Sequence, residues 1–234
     1  MCSNYEAVTR DDRLLAFFGA ARPEGRRNEP EVWPLGIAPF IRRHEGGSGN
    51  RVIEDGRFGL LPHFAKELAF GRRTYNARSE TVHSLPSFRD AWRRGQRCIV
   101  PAECVYEPCW ESGRSVRWRI LQHGAVPMGI AGIYAKWRNP EGVEMFSFAM
   151  LTVNADGHPV FQRMHRPGDE KRMVLILDPA DYDAWLACCV PDAPRFFKPW
   201  PGVLLAQPAP LVRTPRALSG RVIVPPAPPQ DDLF

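Results

Sequence analysis

Short apolar segments with β character recur along most of the chain, and this pattern constrains its fold more than any other feature. They span residues 98–101, 105–108, 117–121, 128–137, 145–153 and 173–177. Polar or turn-forming residues separate them, as is typical of strands. Only three stretches, at 9–18, 86–95 and 179–188, have the character of helices. The pattern predicts an α+β fold: one domain built on a curled, mainly antiparallel β-sheet or barrel-like core with flanking helices.

Local signals make some of these predictions specific. The first helix would bury Leu14, Leu15 and Phe18 on one face. Thr9, just before it, is the predicted N-cap. Residues 58–64 are mostly apolar and predict a buried strand that ends in a loop.

The composition of the chain changes after residue 206. Prolines then recur, and we expect none of them inside regular structure: Pro208, Pro210, Pro215, Pro225, Pro226, Pro228 and Pro229. We therefore predict a catalytic domain at residues 1–206 and an extended proline-rich tail at 207–234. The tail ends in a short polar peptide closed by two apolar residues, with Gln230, Leu233 and Phe234 as its recognisable positions.

Charge and cysteine content limit the function classes. The 234 residues carry a formal net charge of +5, which permits a nucleic-acid partner. The six cysteines include no CxxC pair, so we predict neither a metal site nor another cofactor. The first residues lack the apolar core of a signal peptide, and no stretch approaches the roughly 20 apolar residues of a membrane span. A cytoplasmic protein with reduced thiols and no membrane association is expected.

Cys2 follows the initiator methionine directly. If Met1 is removed, Cys2 carries a free amine and a thiol on adjacent carbons. Such an aminothiol can condense with an aldehyde to an imine and then close to a five-membered thiazolidine. With an α-amino pKa of roughly 7.7–8.0 in model peptides, part of the amine is already unprotonated near neutral pH. The alternative is an incidental cysteine near a frayed terminus.

Three further polar residues are candidates for chemistry. Asn76 can hold an amine or a carbonyl group in one orientation, or it can form a simple turn. Glu107 ends an apolar segment, where partial desolvation would suit it to proton transfer, although Glu103 competes with it. His165 lies in a polar loop and can donate or accept a proton near neutrality. The alternatives without a catalytic role are a surface glutamate on an edge strand for Glu107 and a solvated loop histidine for His165.

Arginines and aromatic residues are interleaved in a way that resembles a surface for single-stranded nucleic acid. The candidates for DNA contacts are Arg72, Arg73, Arg78, Arg163, Arg166, Phe58 and Phe64. The alternative is an ordinary solvated face.

Several short segments match, in order, those of a known family. They are MC at 1–2, FGLLP at 58–62, NARSET at 76–81, VPA at 100–102, YE at 106–107 and LT at 151–152, followed by His165. In these segments the chain resembles the SOS-response-associated peptidase (SRAP) family, from residue 1 to about residue 190.

The resemblance implies a covalent thiazolidine crosslink to abasic sites in single-stranded DNA, made during replication and the DNA damage response. Cys2 would be the nucleophile, freed by autocatalytic removal of Met1. Asn76 would position the amino group of Cys2, Glu107 would move protons, and His165 would assist opening of the deoxyribose ring. Arg78 would hold a flanking phosphate.

The chain departs from the family pattern at several DNA-facing positions. Asn4 stands where the family has arginine, and Pro108 stands where it has tryptophan. Phe58 and Phe64 also replace tryptophans, and the loop after His165 is longer. These changes concern DNA contacts more than the chemistry.

Other functions remain open at this level. An N-terminal-nucleophile amidohydrolase can also begin with Met-Cys, and a non-catalytic single-stranded DNA-binding module would need no Cys2 at all. The final peptide with Gln230, Leu233 and Phe234 resembles motifs by which bacterial proteins dock on the sliding clamp. A monomer associated with the nucleoid is expected.

Overall fold

A computed structural model of the chain describes residues 2–23, 28–44 and 50–211. Its strands are β1 (Asn4–Ala7), β2 (Glu31–Val32), β3 (Ile37–Arg43), β4 (Arg51–Phe58), β5 (Asn76–Arg78), β6 (Arg97–Cys109), β7 (Val116–Gln122), β8 (Met128–Arg138), β9 (Glu144–Asn154), β10 (Arg172–Val174), β11 (Ile176–Leu177) and β12 (Leu204–Pro208). Its α-helices are α1 (Asp11–Phe18), α2 (Arg89–Arg93) and α3 (Tyr182–Ala187). The predicted clamp-binding peptide lies outside the described residues.

Five long strands close on themselves to form the core. The ring runs β8–β9–β4–β3–β6 and returns to β8 through direct pairing of β6 with β8. The described pairings are antiparallel except those of β4 and β5 with β9. The predicted α+β fold, with a mainly antiparallel barrel-like core and flanking helices, is confirmed.

Aromatic side chains fill the inside of this barrel. Phe58 is fully buried and contacts the rings of Tyr5, Tyr75 and Phe148 at centroid distances of 5.2, 5.6 and 5.6 Å. Burying one such side chain stabilises a fold by roughly 1.5–3 kcal/mol relative to leaving it exposed. The inward-facing side chains of the strands therefore stabilise the barrel, and polar groups can lie at its rim.

The first helix differs from its prediction. It begins at Asp11 after Arg10, which makes no side-chain capping bond, so Thr9 is not its N-cap. Leu14 and Phe18 are buried, but Leu15 is 58% exposed. A helix of two turns packed on one side can bury only a narrow stripe, which excludes Leu15.

The predicted strand at 58–64 was wrong in its position. β4 ends at Phe58, and the chain turns at Gly59, where φ is +130°. A side chain is disfavoured at that angle, and a β-carbon there would lie 2.3 Å from the carbonyl oxygen of Gly71. The turn therefore sends residues 60–64 away from the strand direction.

Other strand boundaries also changed. The segments predicted at 98–101 and 105–108 form the single strand β6, because it pairs in succession with β8 and β7. The segment at 173–177 is split into β10, which pairs with β9, and β11, which pairs with β8. β12 continues to Pro208, two residues past the predicted domain end; a proline is tolerated there because β12 pairs with β7 alone among the described strands.

No helix in the described part of the chain is long and apolar enough to cross a membrane.

Candidate active site at the start of the first strand

Cys2 lies just before β1, and the register of β1 on β6 determines its surroundings. Asn4 pairs with Tyr106 in antiparallel fashion, so the residues before Asn4 lie beside those that follow Tyr106. Cys2 is fully buried, and its thiol donates to the carbonyl oxygen of Asn4 at 3.2 Å. The predicted nucleophile is thus held inside the fold and not on a frayed end.

Asn76 reaches Cys2 from the other side. It lies on β5, which pairs in parallel with β9 so that Asn76 is opposite Met150. Its Nδ2 donates to the carbonyl oxygen of Cys2 at 2.7 Å. Its Oδ1 is buried and accepts no hydrogen bond from the described residues. The asparagine therefore fixes the backbone of Cys2 and keeps one acceptor available.

Glu107 and His165 form a buried pair. The Nε2 atom of His165 lies 3.1 Å from Oε2 of Glu107, and the two residues are 8% and 1% exposed. Glu107 lies on β6 directly after Tyr106, which places the pair next to Cys2. A carboxylate and an imidazole in contact can pass a proton between them.

The backbone of His165 adopts an unusual conformation. Its φ is +63°, in the left-handed region that a residue with a side chain rarely occupies. Its N–H donates to the carbonyl oxygen of Pro108 at 2.8 Å. The ammonium of Lys171 donates to the carbonyl oxygens of Met164, His165 and Arg166 at 2.8, 3.3 and 3.0 Å. These contacts hold the loop in the strained form that turns the imidazole toward Glu107.

The electrostatics of the site suppress the thiolate of Cys2. Burial raises the pKa of the Cys2 thiol well above its ordinary value, and the negative charge of Glu107 raises it further. Burial, with the nearby Cys2 and Glu107, also raises the pKa of the half-buried Tyr75 hydroxyl. The neutral thiol is therefore the stable form in this structure, and the side chain of Tyr75 lines the same site.

A small cavity opens beside His165. It encloses about 250 Å³ and is lined by Arg78, His165, Asp169, Glu170 and Arg172. Arg78, the predicted phosphate ligand, is bonded to Glu170 at 2.7 Å. Arg172 is buried. The sequence indicates it only as one of many basic residues, and that pattern does not distinguish a buried arginine from a solvated one.

Two tryptophans lie close to the residues that surround His165 in the sequence. Trp118 on β7 is directly opposite Glu107, so the two side chains share one face of the sheet. The guanidinium of Arg163 lies 4.8 Å from the Trp118 ring and bonds both carboxylate oxygens of Glu111. Arg166 lies 4.9 Å from the ring of Trp110. The structure therefore brings Arg163 and Arg166 close to the site, each against an aromatic ring.

The remaining predicted DNA contacts are placed elsewhere. Phe58 is fully buried in the core, so the structure contradicts its assignment as a surface residue for stacking. Phe64 is 44% exposed and packs edge-on against Phe70. Arg72 and Arg73 are exposed at the end of a short 3₁₀-helix, Leu68–Arg73. Apolar character alone could not distinguish a core phenylalanine from an exposed one.

Asn4 and Pro108, which differ from the family pattern, both lie near Arg117 of β7. Asn4 is buried and donates to Glu31, which also binds Arg117. Arg117 is opposite Pro108 and covers the ring of Tyr106 at 3.4 Å. An arginine is thus present beside Asn4, but it is Arg117 from β7 and it is paired with Glu31.

The described residues contain no group of three histidine, cysteine or acidic side chains arranged to hold a metal ion. The cysteines are all free thiols, and Cys189 is the exposed one.

Comparison with known proteins assigns the chain to a family. The sequence model of the SOS response associated peptidase (SRAP) family matches residues 1–206. Abasic site processing protein YoqW of Bacillus subtilis is 32% identical over 194 residues, which cover 80% of each chain. Abasic site processing protein HMCES of Gallus gallus is 28% identical over 66% of this chain and 56% of its own.

A solved structure shares the fold of this chain. A Bordetella bronchiseptica protein, known from a crystal structure, superposes with a TM-score of 0.82 at 38% identity and covers 90% of this chain and 100% of its own. The chain therefore belongs to the SOS response associated peptidase family.

Proposed function

We propose that this protein forms a covalent crosslink between Cys2 and abasic sites in single-stranded DNA. The observation that carries the proposal is the convergence of three polar side chains, Asn76, Glu107 and His165, on the buried Cys2. The relatives named as abasic site processing proteins support the same class of substrate.

The reaction uses both nucleophiles of a mature Cys2. An abasic deoxyribose is a cyclic hemiacetal that opens to an aldehyde. After Met1 is removed, the amine of Cys2 adds to the aldehyde carbon, and loss of water gives an imine. The thiol then adds to the imine carbon, and its proton passes to the nitrogen, which closes the thiazolidine. No oxidant or cofactor is needed, because each step is an addition or a dehydration.

The site offers a group for each proton transfer. His165 would take the hydroxyl proton as the sugar ring opens, and Glu107, in contact with it, would accept and return protons during imine formation. Glu107 also serves as the base for the Cys2 thiol, because burial raises the pKa of that thiol and disfavours a free thiolate. The Oδ1 of Asn76, which accepts no hydrogen bond from the described residues, would accept one from the new amine of Cys2.

The surroundings of His165 suit a single strand better than a duplex. The rings of Trp110 and Trp118 are partly exposed, each with a guanidinium against it, and together they would provide aromatic and cationic surface for unpaired bases. Arg78, which lines the cavity beside His165, would supply a cation for a phosphate. An unpaired strand could present an extruded sugar between these two groups.

The test is incubation of the purified protein with a labelled single-stranded oligonucleotide that contains one abasic site. A denaturation-resistant adduct is expected with the wild-type protein and not with Cys2→Ala. Cys189→Ala removes an exposed thiol and serves as the matched control, which should retain the adduct. Absence of any adduct with the wild-type protein would refute the proposal.

Two further measurements separate the alternatives. Intact mass shows whether Met1 is gone, which the reaction requires. Binding of equal strength to intact and abasic strands, without an adduct, would instead favour a non-catalytic DNA-binding module. Ammonia release from an amide substrate would favour an amidohydrolase.

A further inference from the structure

The carboxylate of Glu170 is held between two arginines at the cavity beside His165. Its Oε2 accepts from Nη1 of Arg78 at 2.7 Å, and its Oε1 accepts from Nη1 of Arg172 at 2.6 Å. Each oxygen of one anionic group therefore binds a different guanidinium. The two non-bridging oxygens of a phosphodiester can be bound in the same way.

Arg172 has several partners besides Glu170, whereas Arg78 has fewer contacts to hold its side chain. Arg172 has a side chain only 2% exposed, and it also bonds Glu80 through both carboxylate oxygens and Thr152 through its backbone and hydroxyl oxygens. Arg78 is 46% exposed, and Glu170 is its ion-pair partner among the described residues. Removal of Glu170 would leave Arg172 in place and would release the cation of Arg78 toward the cavity.

The position of this ion pair links it to the candidate active site. Arg78, Glu170 and His165 line one cavity of about 250 Å³. Arg78 follows Asn76 by two residues on β5, and Glu170 lies in the loop that begins at His165. A strand whose abasic sugar reached Cys2 would pass the cavity with its neighbouring phosphate.

The ionised state of Glu170 is favoured in this arrangement. The hydrogen bond from Arg172 lowers the pKa of Glu170 despite some opposing desolvation, and the charges of Arg172 and Arg78 lower it further. The carboxylate therefore remains negative at neutral pH and competes with any other anion for the same two guanidinium groups.

We propose that Glu170 regulates strand binding: in the free protein it occupies Arg78, the expected phosphate ligand, and the neighbouring Arg172, and it leaves them when a DNA phosphate takes its place. The inference rests on the proposed function, because it assumes that the ligand is a nucleic-acid strand. Glu170 then acts as an internal competitor that weakens binding of strands at this cavity. A phosphodiester is favoured over a small carboxylate because the adjacent aromatic and basic groups can bind the rest of a strand.

The test compares two variants that each remove one negative charge from the same cavity wall. Glu170→Gln frees Arg78, whereas Asp169→Asn removes a carboxylate that forms no ion pair with the described residues. Affinity for an intact, fluorescein-labelled single strand is measured by anisotropy at low salt. We expect Glu170→Gln to bind about fivefold more tightly than the wild type, and Asp169→Asn less than about twofold. Equal effects of the two variants would overturn the proposal, since only net charge would then matter.

A double-mutant cycle identifies the arginine involved. The gain from Glu170→Gln should disappear in a chain that also carries Arg78→Ala, because the released cation is then missing. A gain that persists without Arg78 contradicts the proposal. Thermal unfolding of each variant verifies that it is folded; Arg172 keeps Glu80 in all of them.

The outcome is independent of the crosslinking assay. The probe is an intact strand that forms no adduct, so failure of the proposed crosslink leaves this measurement interpretable. Conversely, an adduct with unchanged binding in Glu170→Gln would retain the proposed function and refute the regulation by Glu170.

Discussion

Asn76 donates a hydrogen bond of 2.7 Å to the backbone carbonyl oxygen of Cys2, across 74 positions of sequence. The bond is buried, and it joins β5 to the residue that precedes β1. The main chain of the candidate nucleophile is therefore held by a side chain from a different part of the barrel. A backbone held in this way keeps the amine and thiol of Cys2 in one orientation.

Replacement of Asn76 by aspartate should disturb both reactivity and stability. The carboxylate cannot donate to the Cys2 carbonyl and would repel it. We expect Asn76→Asp to lower the free energy of unfolding by about 1–3 kcal/mol, as for other buried groups left unpaired, and to slow adduct formation at least tenfold. Urea denaturation and the oligonucleotide assay measure the two effects.

Asn139 provides the control for this substitution. Its Oδ1 accepts a hydrogen bond from the Val143 N–H in an exposed turn, and an aspartate can do the same. Asn139→Asp should change the unfolding free energy by less than about 0.5 kcal/mol. Similar losses in both variants would mean that the bond to Cys2 has no special role.

The turn at Gly59 should tolerate no side chain. An alanine there would face both the unfavourable φ of +130° and a β-carbon contact of 2.3 Å with the Gly71 carbonyl oxygen. We expect Gly59→Ala to destabilise the protein by more than about 3 kcal/mol. Gly142→Ala, at a φ of +86° with open space around it, should cost only about 1 kcal/mol. Equal costs would show that backbone conformation alone, without the close contact, sets the penalty.

Local patterns were sufficient to predict the class of fold and some of the site. Apolar segments separated by turn residues predict strands, because a strand that packs on a core needs apolar side chains. A barrel-like sheet could therefore be predicted. Residues Cys2, Asn76, Glu107 and His165 were identified separately, and the structure brings them together.

Features that depend on pairing between distant strands could not be predicted. The burial of Phe58 follows from the point at which β4 ends, and that end is set by the approach of Gly71. The ion pairs of Glu170 with Arg78 and Arg172 depend on how the loop after His165 folds back onto β5. No local periodicity in the sequence encodes such contacts.

Buried thiols should make the protein less stable at alkaline pH. Burial raises the pKa of Cys98 well above its ordinary value, although the charge of Arg97 opposes this slightly. A group whose pKa is raised by folding stabilises the protein below its unfolded pKa and loses that contribution as the pH rises. For a thiol with an unfolded pKa of about 8.5, the loss between pH 8.5 and 10 is roughly 1.5 kcal/mol.

Cys98→Ala tests this alkaline effect. The variant is expected to be less stable than the wild type at pH 7, because a buried group is lost. The difference should shrink by roughly 2 kcal/mol between pH 7 and pH 10, as the wild type alone loses the contribution of this thiol. Urea unfolding at pH 7, 8.5 and 10 measures it, with the exposed Cys189→Ala as the control. A difference that stays constant with pH contradicts the prediction.

The contact between Glu107 and His165, 3.1 Å from Oε2 to Nε2, allows their proposed roles to be separated. His165→Asn is the suitable variant, because asparagine tolerates the left-handed conformation at φ +63° and so preserves the loop. If His165 opens the sugar ring, this variant should slow adduct formation with an abasic strand by about 10²-fold or more. With a strand bearing an open-chain aldehyde it should react almost normally. Glu107→Gln should slow both reactions, since imine formation itself needs the proton transfers. Equal slowing of both substrates by His165→Asn would exclude a role confined to ring opening.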